Sequence, residues 1–171
     1  MNKLVMKRFS WKCHSEIVKG FHEEIVVSSF PSKHMSMETY RQKLRRSEKH
    51  GLPVYMRGLR KAYDEGKDGI FVWEIAGEVV GWSWLKVHEN EFFKEGVYGE
   101  INEIYVVAKL RRKGVGNTMM IHVHNWFKEK GVDTIRVETA ASNKTAIKFY
   151  KKFGFEPNYI SLQKELSNEE G

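Results

Sequence analysis

A turn rich in glycine and cations joins a strand-like segment to a helix, and this junction constrains the fold more than any other feature. The segment reads IYVVAKLRRKGVGNTMMIHVHNWF, from Ile104 to Phe127. Gly114 and Gly116 stand where the helix should begin, although glycine costs about 1 kcal/mol in a helix relative to alanine. We infer that the chain needs bare backbone at this point.

The turn has the properties of an anion site. The first turn of a helix carries backbone N–H groups without internal partners, and the helix dipole places partial positive charge there. An oxyanion can accept these N–H groups when no side chain blocks it. The net charge of +7 also favours an anionic partner. The candidate pyrophosphate site consists of Arg111, Arg112, Lys113, Gly114, Val115 and Gly116. A turn that binds nothing is the alternative, because neither a complete dinucleotide fingerprint nor a P-loop is present.

Hydrophobic periodicity predicts a mixed α/β fold. Helices are predicted in the first part of the chain at 15–30, 36–51 and 53–66. The later predicted elements are, in chain order, a hairpin turning at Gly77, a strand at 100–107, a helix at 115–130, a strand at 132–140, a helix at 143–153 and a last strand at 159–166. The buried face of the 115–130 helix is predicted to contain Val115, Met119, Val123, Trp126 and Phe127.

Length and composition predict one domain, residues 1–171, with a helical part at about 1–68 and a core at about 69–166. We expect no membrane partner, because no apolar run approaches the roughly 20 residues of a span. The single cysteine, Cys13, excludes an internal disulfide and indicates a cytoplasmic protein. We expect Cys13 to be a buried thiol. We expect no metal site, because His122 and His124 do not share a helical face.

Three motifs together resemble the GNAT superfamily of N-acetyltransferases. The first is Arg-x-x-Gly-x-Gly at 111–116. The second is ETAASNKTAIKFYKKFGFEP, with Asn143, Ala146, Tyr150, Gly154 and Phe155 at the family's spacing. The third is the hairpin FVWEIAGEVVGW. The resemblance covers roughly Gly69 to Leu166, with Ala108 where the family usually has proline.

This resemblance implies a mixed, mostly antiparallel sheet, flanked by helices, in which two central parallel strands splay apart. It implies acetyl-coenzyme A as co-substrate, with its pantetheine arm between those strands. The arm would bind the backbone of Ile104, Tyr105 and Val106. The turn at 111–116 would take the pyrophosphate, and Asn143 would lie beside the pantetheine or the acetyl end.

The implied reaction is acetyl transfer to a primary amine by direct attack in a ternary complex. An amine with a pKa of about 10.4 costs on the order of 4 to 5 kcal/mol to neutralise at pH 7, so a base is expected. Glu100 and Glu103 are the candidates, and their odd spacing predicts opposite faces of the sheet. We favour Glu100 and keep Glu103 open. Tyr150 is the candidate acid for the leaving thiolate, with a packed core tyrosine as the alternative.

The acceptor is expected to be a small amine, a polyamine or a peptide amine. Acidic residues before the cofactor strand suggest a mouth for a cationic acceptor, and an ordinary solvated loop is the alternative. These residues are Glu89, Glu91, Glu95 and Glu100. A basic nucleic-acid-binding protein and a non-catalytic acyl-CoA sensor are the competing functions. We do not expect a nucleic-acid partner, because no recognised signature is present. A homodimer is left open.

Overall fold

The computed structural model describes residues 3–29, 36–49, 51–89 and 96–162. The chain divides into two compact units, Met1–Glu138 and Thr139–Gly171. The first contains β1 (Leu4–Arg8), α1 (Trp11–Ser29), α2 (Met37–Arg46), α3 (Leu52–Glu65), β2 (Gly69–Ile75), β3 (Glu78–Glu89), β4 (Val97–Val106), α4 (Val115–Glu129) and β5 (Ile135–Val137). The second contains α5 (Lys144–Lys151). The organisation into one domain stays a prediction.

The five strands form one mixed sheet, which confirms the predicted fold class. Their order is β1-β2-β3-β4-β5. The first three pairings are antiparallel, and β4 and β5 run parallel. The connections fit this pairing, because a tight turn joins the antiparallel strands β2 and β3 whereas α4 provides the crossover that the parallel pair needs.

Strand β1 was not predicted, since only helices were expected before residue 68. It pairs along β2 from Leu4 opposite Ile75 to Arg8 opposite Phe71. Four of its five side chains are exposed, so the strand lacks the alternation that marks a half-buried strand. Its formation depends on a partner more than 60 residues away in the sequence.

Each face of the sheet is covered by helices. On one face, Val18 of α1 and Leu59 of α3 pack against Trp82 and Trp84 of β3. On the other face, α4 packs against the sheet through Val115, Met119 and their neighbours. The predicted buried face of α4 is confirmed at four positions. Trp126, by contrast, is only partly buried, and Met120 is buried in addition.

Contact between α4 and β4 is very close at one glycine. A Cβ atom added at Gly99 would lie 2.5 Å from two ring carbons of Phe127. Phe127 is fully buried, so its ring has no free space into which it could move. Gly99 therefore sets the distance at which α4 rests on the strand.

Several predicted boundaries differ from the structure. Helix α1 begins at Trp11 rather than 15, and β5 contains only three residues. The predicted last strand is absent at 159–162, which are exposed and form no strand, and its remainder at 163–166 lies outside the described residues. Cys13 is exposed rather than buried. Glu91 and Glu95 also lie outside the described residues.

Across the described residues, every helix is too short or too polar to span a membrane.

The close approach at Gly99 generates a stability prediction. Gly99→Ala should lower the free energy of unfolding by about 1 to 3 kcal/mol, because the added methyl group overpacks the contact with Phe127. Gly20→Ala in α1 is the matched control, since nothing lies within 4 Å of an added Cβ there. The control should raise stability by up to about 1 kcal/mol through helix propensity. Urea unfolding measures both changes, and equal stability of the two variants would contradict this description of the contact.

Candidate active site

The two parallel strands of the sheet separate after three paired residues. Strand β5 pairs with β4 only at Gly99, Glu100 and Ile101. Strand β4 continues to Val106, and no strand of the described chain pairs with its last five residues on that side. The splayed parallel pair expected from the sequence is therefore present, and it leaves one edge of β4 open.

Two residues of β4 direct their backbone groups to this open edge. The Val107 N–H donates to the Val80 carbonyl at 3.0 Å, so Val107 faces β3. Because residues of a strand alternate, Val106 and Ile104 face the other way. The Arg111 Nε group confirms this direction, since it donates to the Val106 carbonyl at 2.9 Å from that side. Ile104 and Val106 can therefore form backbone hydrogen bonds with a ligand along the open edge.

Tyr105 does not share this property, which corrects its expected role in backbone binding of the cofactor. It lies opposite Trp82 and belongs to the set of residues that faces β3. Its ring stacks on Phe21 of α1, with 4.7 Å between the ring centroids. The physical reason is the strand's alternation, which allows only every second residue to face a given edge.

The turn before α4 offers backbone N–H groups. Gly114 precedes the helix with a φ of 87°, a left-handed conformation that glycine adopts without steric cost. The hydrogen bonding of α4 begins at Thr118, whose N–H donates to the Gly114 carbonyl at 3.1 Å. The N–H groups of Val115, Gly116 and Asn117 thus have no helical acceptor. Only backbone is available at Val115, because its side chain is buried in the core.

Uncompensated positive charge lies beside these N–H groups. Arg112 and Lys113 are exposed, and neither has an acidic partner in the described part of the chain. Lys109 differs, because it pairs with Glu78 at 2.5 Å. The backbone and the two cations together fit a phosphate-type anion.

A β-bulge places both candidate carboxylates on the same face of the sheet. Glu103 lies opposite Trp84, and Glu100 lies opposite Lys86. Trp84 and Lys86 are two residues apart on β3, so they share a face, and their cross-strand partners share it too. The prediction of opposite faces was wrong. The extra residue Asn102 between the two carboxylates resets the alternation of β4.

Glu103 is a buried carboxylate with three hydrogen-bonding partners. It is 8% exposed. The Tyr55 hydroxyl donates to its Oε2 atom at 2.6 Å, and the Trp82 indole N–H donates to the same atom at 2.9 Å. The Nδ1 atom of His22 bonds to Oε1. Burial, followed by the Glu103 charge, raises the pKa of Tyr55 well above its usual value, so Tyr55 remains a donor at neutral pH.

Glu100 has a more open environment. It pairs with Nε2 of His88 at 2.5 Å, and the two side chains are 30% and 36% exposed. The His88 ring stacks on Tyr98, with 4.8 Å between the centroids. Each candidate carboxylate therefore has a histidine partner, and the two differ mainly in their burial.

The partners of Glu103 were missed by sequence analysis. His22 and Tyr55 lie 81 and 48 residues from Glu103 in the chain, so no local spacing connects them. One signal was present. His22 interrupts the apolar stripe of α1 that contains Val18, Phe21 and Ile25, and a polar residue in such a stripe needs a partner.

In the second unit, the motif residues Asn143, Gly154 and Phe155 have structural roles around α5. Asn143 caps α5, because its Oδ1 atom accepts the Ala146 N–H at 3.1 Å. Gly154 follows the helix with a φ of 82°, and the Phe155 ring contacts Tyr150 with 5.6 Å between the centroids. Burial raises the pKa of Tyr150 well above its usual value. Tyr150 is therefore a protonated hydroxyl at neutral pH.

The chain is similar to known proteins in both sequence and fold. The chain is 31% identical over 106 residues to an uncharacterized N-acetyltransferase of Methanocaldococcus jannaschii, a match that covers 62% of this chain and 46% of that protein. It thus spans about half of that relative's length.

Two crystal structures have the same fold. A GCN5-related N-acetyltransferase from Ralstonia eutropha superposes with a TM-score of 0.74 at 16% identity, covering 97% of this chain and 100% of that one. A predicted acetyltransferase from Clostridium acetobutylicum, solved with acetyl-CoA, superposes with a TM-score of 0.67 at 13% identity, covering 99% and 100%. The profile of the acetyltransferase (GNAT) family matches residues 34–155. The chain therefore belongs to the GNAT family of acetyltransferases.

Proposed function

We propose that this protein transfers the acetyl group of acetyl-CoA to a primary amine. The observation that carries the proposal is the open edge of β4, which leads directly into the turn of free N–H groups and cations before α4. A long ligand with amide groups in its arm and a pyrophosphate beyond them matches this order of binding groups. Family membership supports the same co-substrate.

Each part of the co-substrate is assigned to residues of this chain. The backbone of Ile104 and Val106 binds the amide groups of the pantetheine arm. The N–H groups of residues 115–117 bind the pyrophosphate, and Arg112 and Lys113 supply long-range attraction. The family resemblance assigns Asn143 to the pantetheine or acetyl end. Its Oδ1 atom caps α5, which leaves its amide N–H groups for the ligand.

The reaction forms a C–N bond and breaks a C–S bond. The neutral amine attacks the acetyl carbon, and the C–S electron pair leaves on sulfur. The ammonium form of the acceptor must first lose one proton to a base. A second proton leaves the nitrogen as the amide forms, and the thiolate gains one. The products are an acetylated amine, free coenzyme A and one released proton.

Tyr150 is proposed to act on the leaving thiolate. A thiol with a pKa of about 8.5 is a stronger acid than a tyrosine whose pKa is raised by burial. Tyr150 therefore stabilises the developing thiolate mainly as a hydrogen-bond donor, and it remains protonated across the neutral range. Its contribution should not change with pH near neutrality.

The nucleic-acid alternative is weakened by the pairing of two of the four basic residues on α2. Arg41 and Arg45 donate to Glu23 at 2.9 and 2.7 Å. The hydrogen bond from Arg45, together with that from Arg41, holds the pKa of Glu23 below its usual range. These arginines connect α2 to α1, so part of their charge is already neutralised by Glu23.

The acceptor class remains primary amines: small amines, polyamines or peptide amines. A cytoplasmic location also remains a prediction.

Release of free thiol from acetyl-CoA, measured against a panel of these amines, tests the proposal. Turnover with at least one amine is the expected result. Binding of acetyl-CoA without turnover on any amine would favour the acyl-CoA sensor, and absence of binding would contradict both functions.

The turn before α4 generates a binding prediction. We expect acetyl-CoA to bind with an affinity in roughly the micromolar range typical of enzyme substrates. Gly116→Leu should weaken this affinity sharply, because the side chain blocks the approach of the pyrophosphate. Gly58→Leu is the matched control, since an added Cβ at this exposed glycine of α3 has nothing within 4 Å. Calorimetry measures both variants, and wild-type affinity in Gly116→Leu would exclude the turn as the anion site.

Tyr150 generates a kinetic prediction. Tyr150→Phe keeps the ring and removes the hydroxyl, so kcat should fall by roughly 10² to 10⁴ with little change in acetyl-CoA affinity. Tyr63→Phe, on the exposed side of α3, is the control and should leave kcat unchanged. If Tyr150→Phe keeps kcat within about threefold of wild type, far short of that range, Tyr150 is a packing residue.

A further inference from the structure

We propose that His22 is the general base of the acetyl transfer and that Glu103 is its positioning residue. This inference rests on the proposed function and names the group that takes the proton from the acceptor amine. It replaces both carboxylates considered from the sequence with a residue of α1 that lies next to one of them.

The hydrogen bonds of Glu103 suit it to position its neighbours rather than to accept the proton directly. Its Oε2 atom already accepts two donors, from Tyr55 and Trp82, and its Oε1 atom bonds to His22. A proton arriving on Oε2 would displace one of two buried donors and leave it unsatisfied, whereas Oε1 is approached by the ring of His22 itself. The carboxylate is suited to hold its neighbours rather than to receive a substrate.

The proposal assigns a free nitrogen to His22. Tyr55 and Trp82 both donate to Oε2, which leaves Oε1 as the atom that faces the ring of His22. In the tautomer that we propose, the neutral ring carries its proton on Nδ1 and donates it to Oε1 of the carboxylate. Nε2 is left with a lone pair. It makes no hydrogen bond within the described chain, and it is not among the buried polar atoms without a partner. Nε2 is therefore an available base.

The ring of His22 is fixed in orientation. It stacks on Tyr55 with 3.4 Å between the centroids and 8° between the planes. Its side chain is 18% exposed, so it is largely shielded but still reached by solvent. A carboxylate bond on one nitrogen and a stacked ring on one face hold the imidazole as a serine hydrolase holds its catalytic histidine.

The position along β4 places this base near the site assigned to the co-substrate. Glu103 precedes Ile104, whose backbone faces the open edge. Phe21 precedes His22 on α1 and stacks on Tyr105 of the same strand. The base therefore lies over the segment of β4 whose edge is open, on the face that α1 and α3 cover.

An N–H bond of the acceptor ammonium breaks, its electron pair stays on nitrogen, and a new N–H bond forms at Nε2 of His22. Glu103 stabilises the resulting imidazolium through Nδ1 without taking the proton itself. His22 then releases the proton to solvent after the amine has attacked the acetyl carbon. The titratable groups in contact with His22 are Glu103 of β4 and Tyr55 of α3.

The first test reads the ring directly and needs no activity. ¹⁵N chemical shifts of histidine-labelled protein report which ring nitrogen carries the proton. We expect the neutral ring of His22, assigned through loss of its signals in His22→Asn, to be protonated on Nδ1. Glu103→Gln should shift this ring toward the Nε2–H tautomer. A wild-type ring protonated on Nε2, or a tautomer unaffected by Glu103→Gln, would overturn the assignment of a base held by Glu103.

The second test is kinetic. Asparagine can still donate toward Glu103 but has no basic nitrogen, so His22→Asn should lower kcat by roughly 10² to 10⁴ while acetyl-CoA affinity stays unchanged. His122→Asn, at an exposed histidine of α4, is the matched control and should keep wild-type kcat. A value of kcat in His22→Asn close to that of the control would overturn the proposal.

Chemical rescue separates a base from a packing residue. His22→Ala leaves space beside Tyr55, and added imidazole should restore part of kcat with saturation, more strongly as the pH rises and neutral imidazole increases. A folded His22→Ala that binds acetyl-CoA but shows no rescue would contradict a catalytic role. The proposed function fails separately, because wild-type protein would then release no thiol with any amine, whatever the tautomer of His22.

Discussion

The buried carboxylate of Glu103 is the interaction on which the arrangement of the candidate site depends. It joins four elements, because its partners come from α1, α3 and β3 while the carboxylate itself belongs to β4. A buried carboxylate that lost one donor would leave a costly unsatisfied group, so the three contacts stabilise one another. The position of α1 over the sheet is thereby tied to the strand that forms the open edge.

The bulge at Asn102 makes this arrangement possible. If Asn102 instead took a regular place in the alternation, Glu103 would face α4 and the apolar core around Trp73. With the bulge, Glu103 faces α1 and α3, and the next residues still direct Ile104 and Val106 to the open edge. One inserted residue therefore determines both which face carries the charged group and which backbone groups a ligand can reach.

The sequence predicted the parts of this site that depend on local patterns. The glycines before α4, the helix that begins near Asn143 and the crossover between β4 and β5 all have recognisable spacings, and the structure contains each of them. It could not predict the bulge, because Asn102 carries no local mark that separates it from a regular strand residue. The contacts of His22 and Tyr55 with Glu103 were also beyond reach, since each joins residues from distant parts of the chain. Strand β1 was not predicted for the same reason, because it forms only by pairing with the distant strand β2.

Amide hydrogen exchange in the presence of coenzyme A tests the central claim most directly, because the claim concerns individual backbone groups. In ¹⁵N-labelled protein, saturating coenzyme A should slow exchange at Ile104 and Val106 and at the first N–H groups of α4. Glu103 and Tyr105 should be unaffected, since they already face β3. This alternating pattern is the result that a ligand lying along the open edge of β4 predicts. Unchanged exchange at Ile104 and Val106 under saturating coenzyme A would contradict the account.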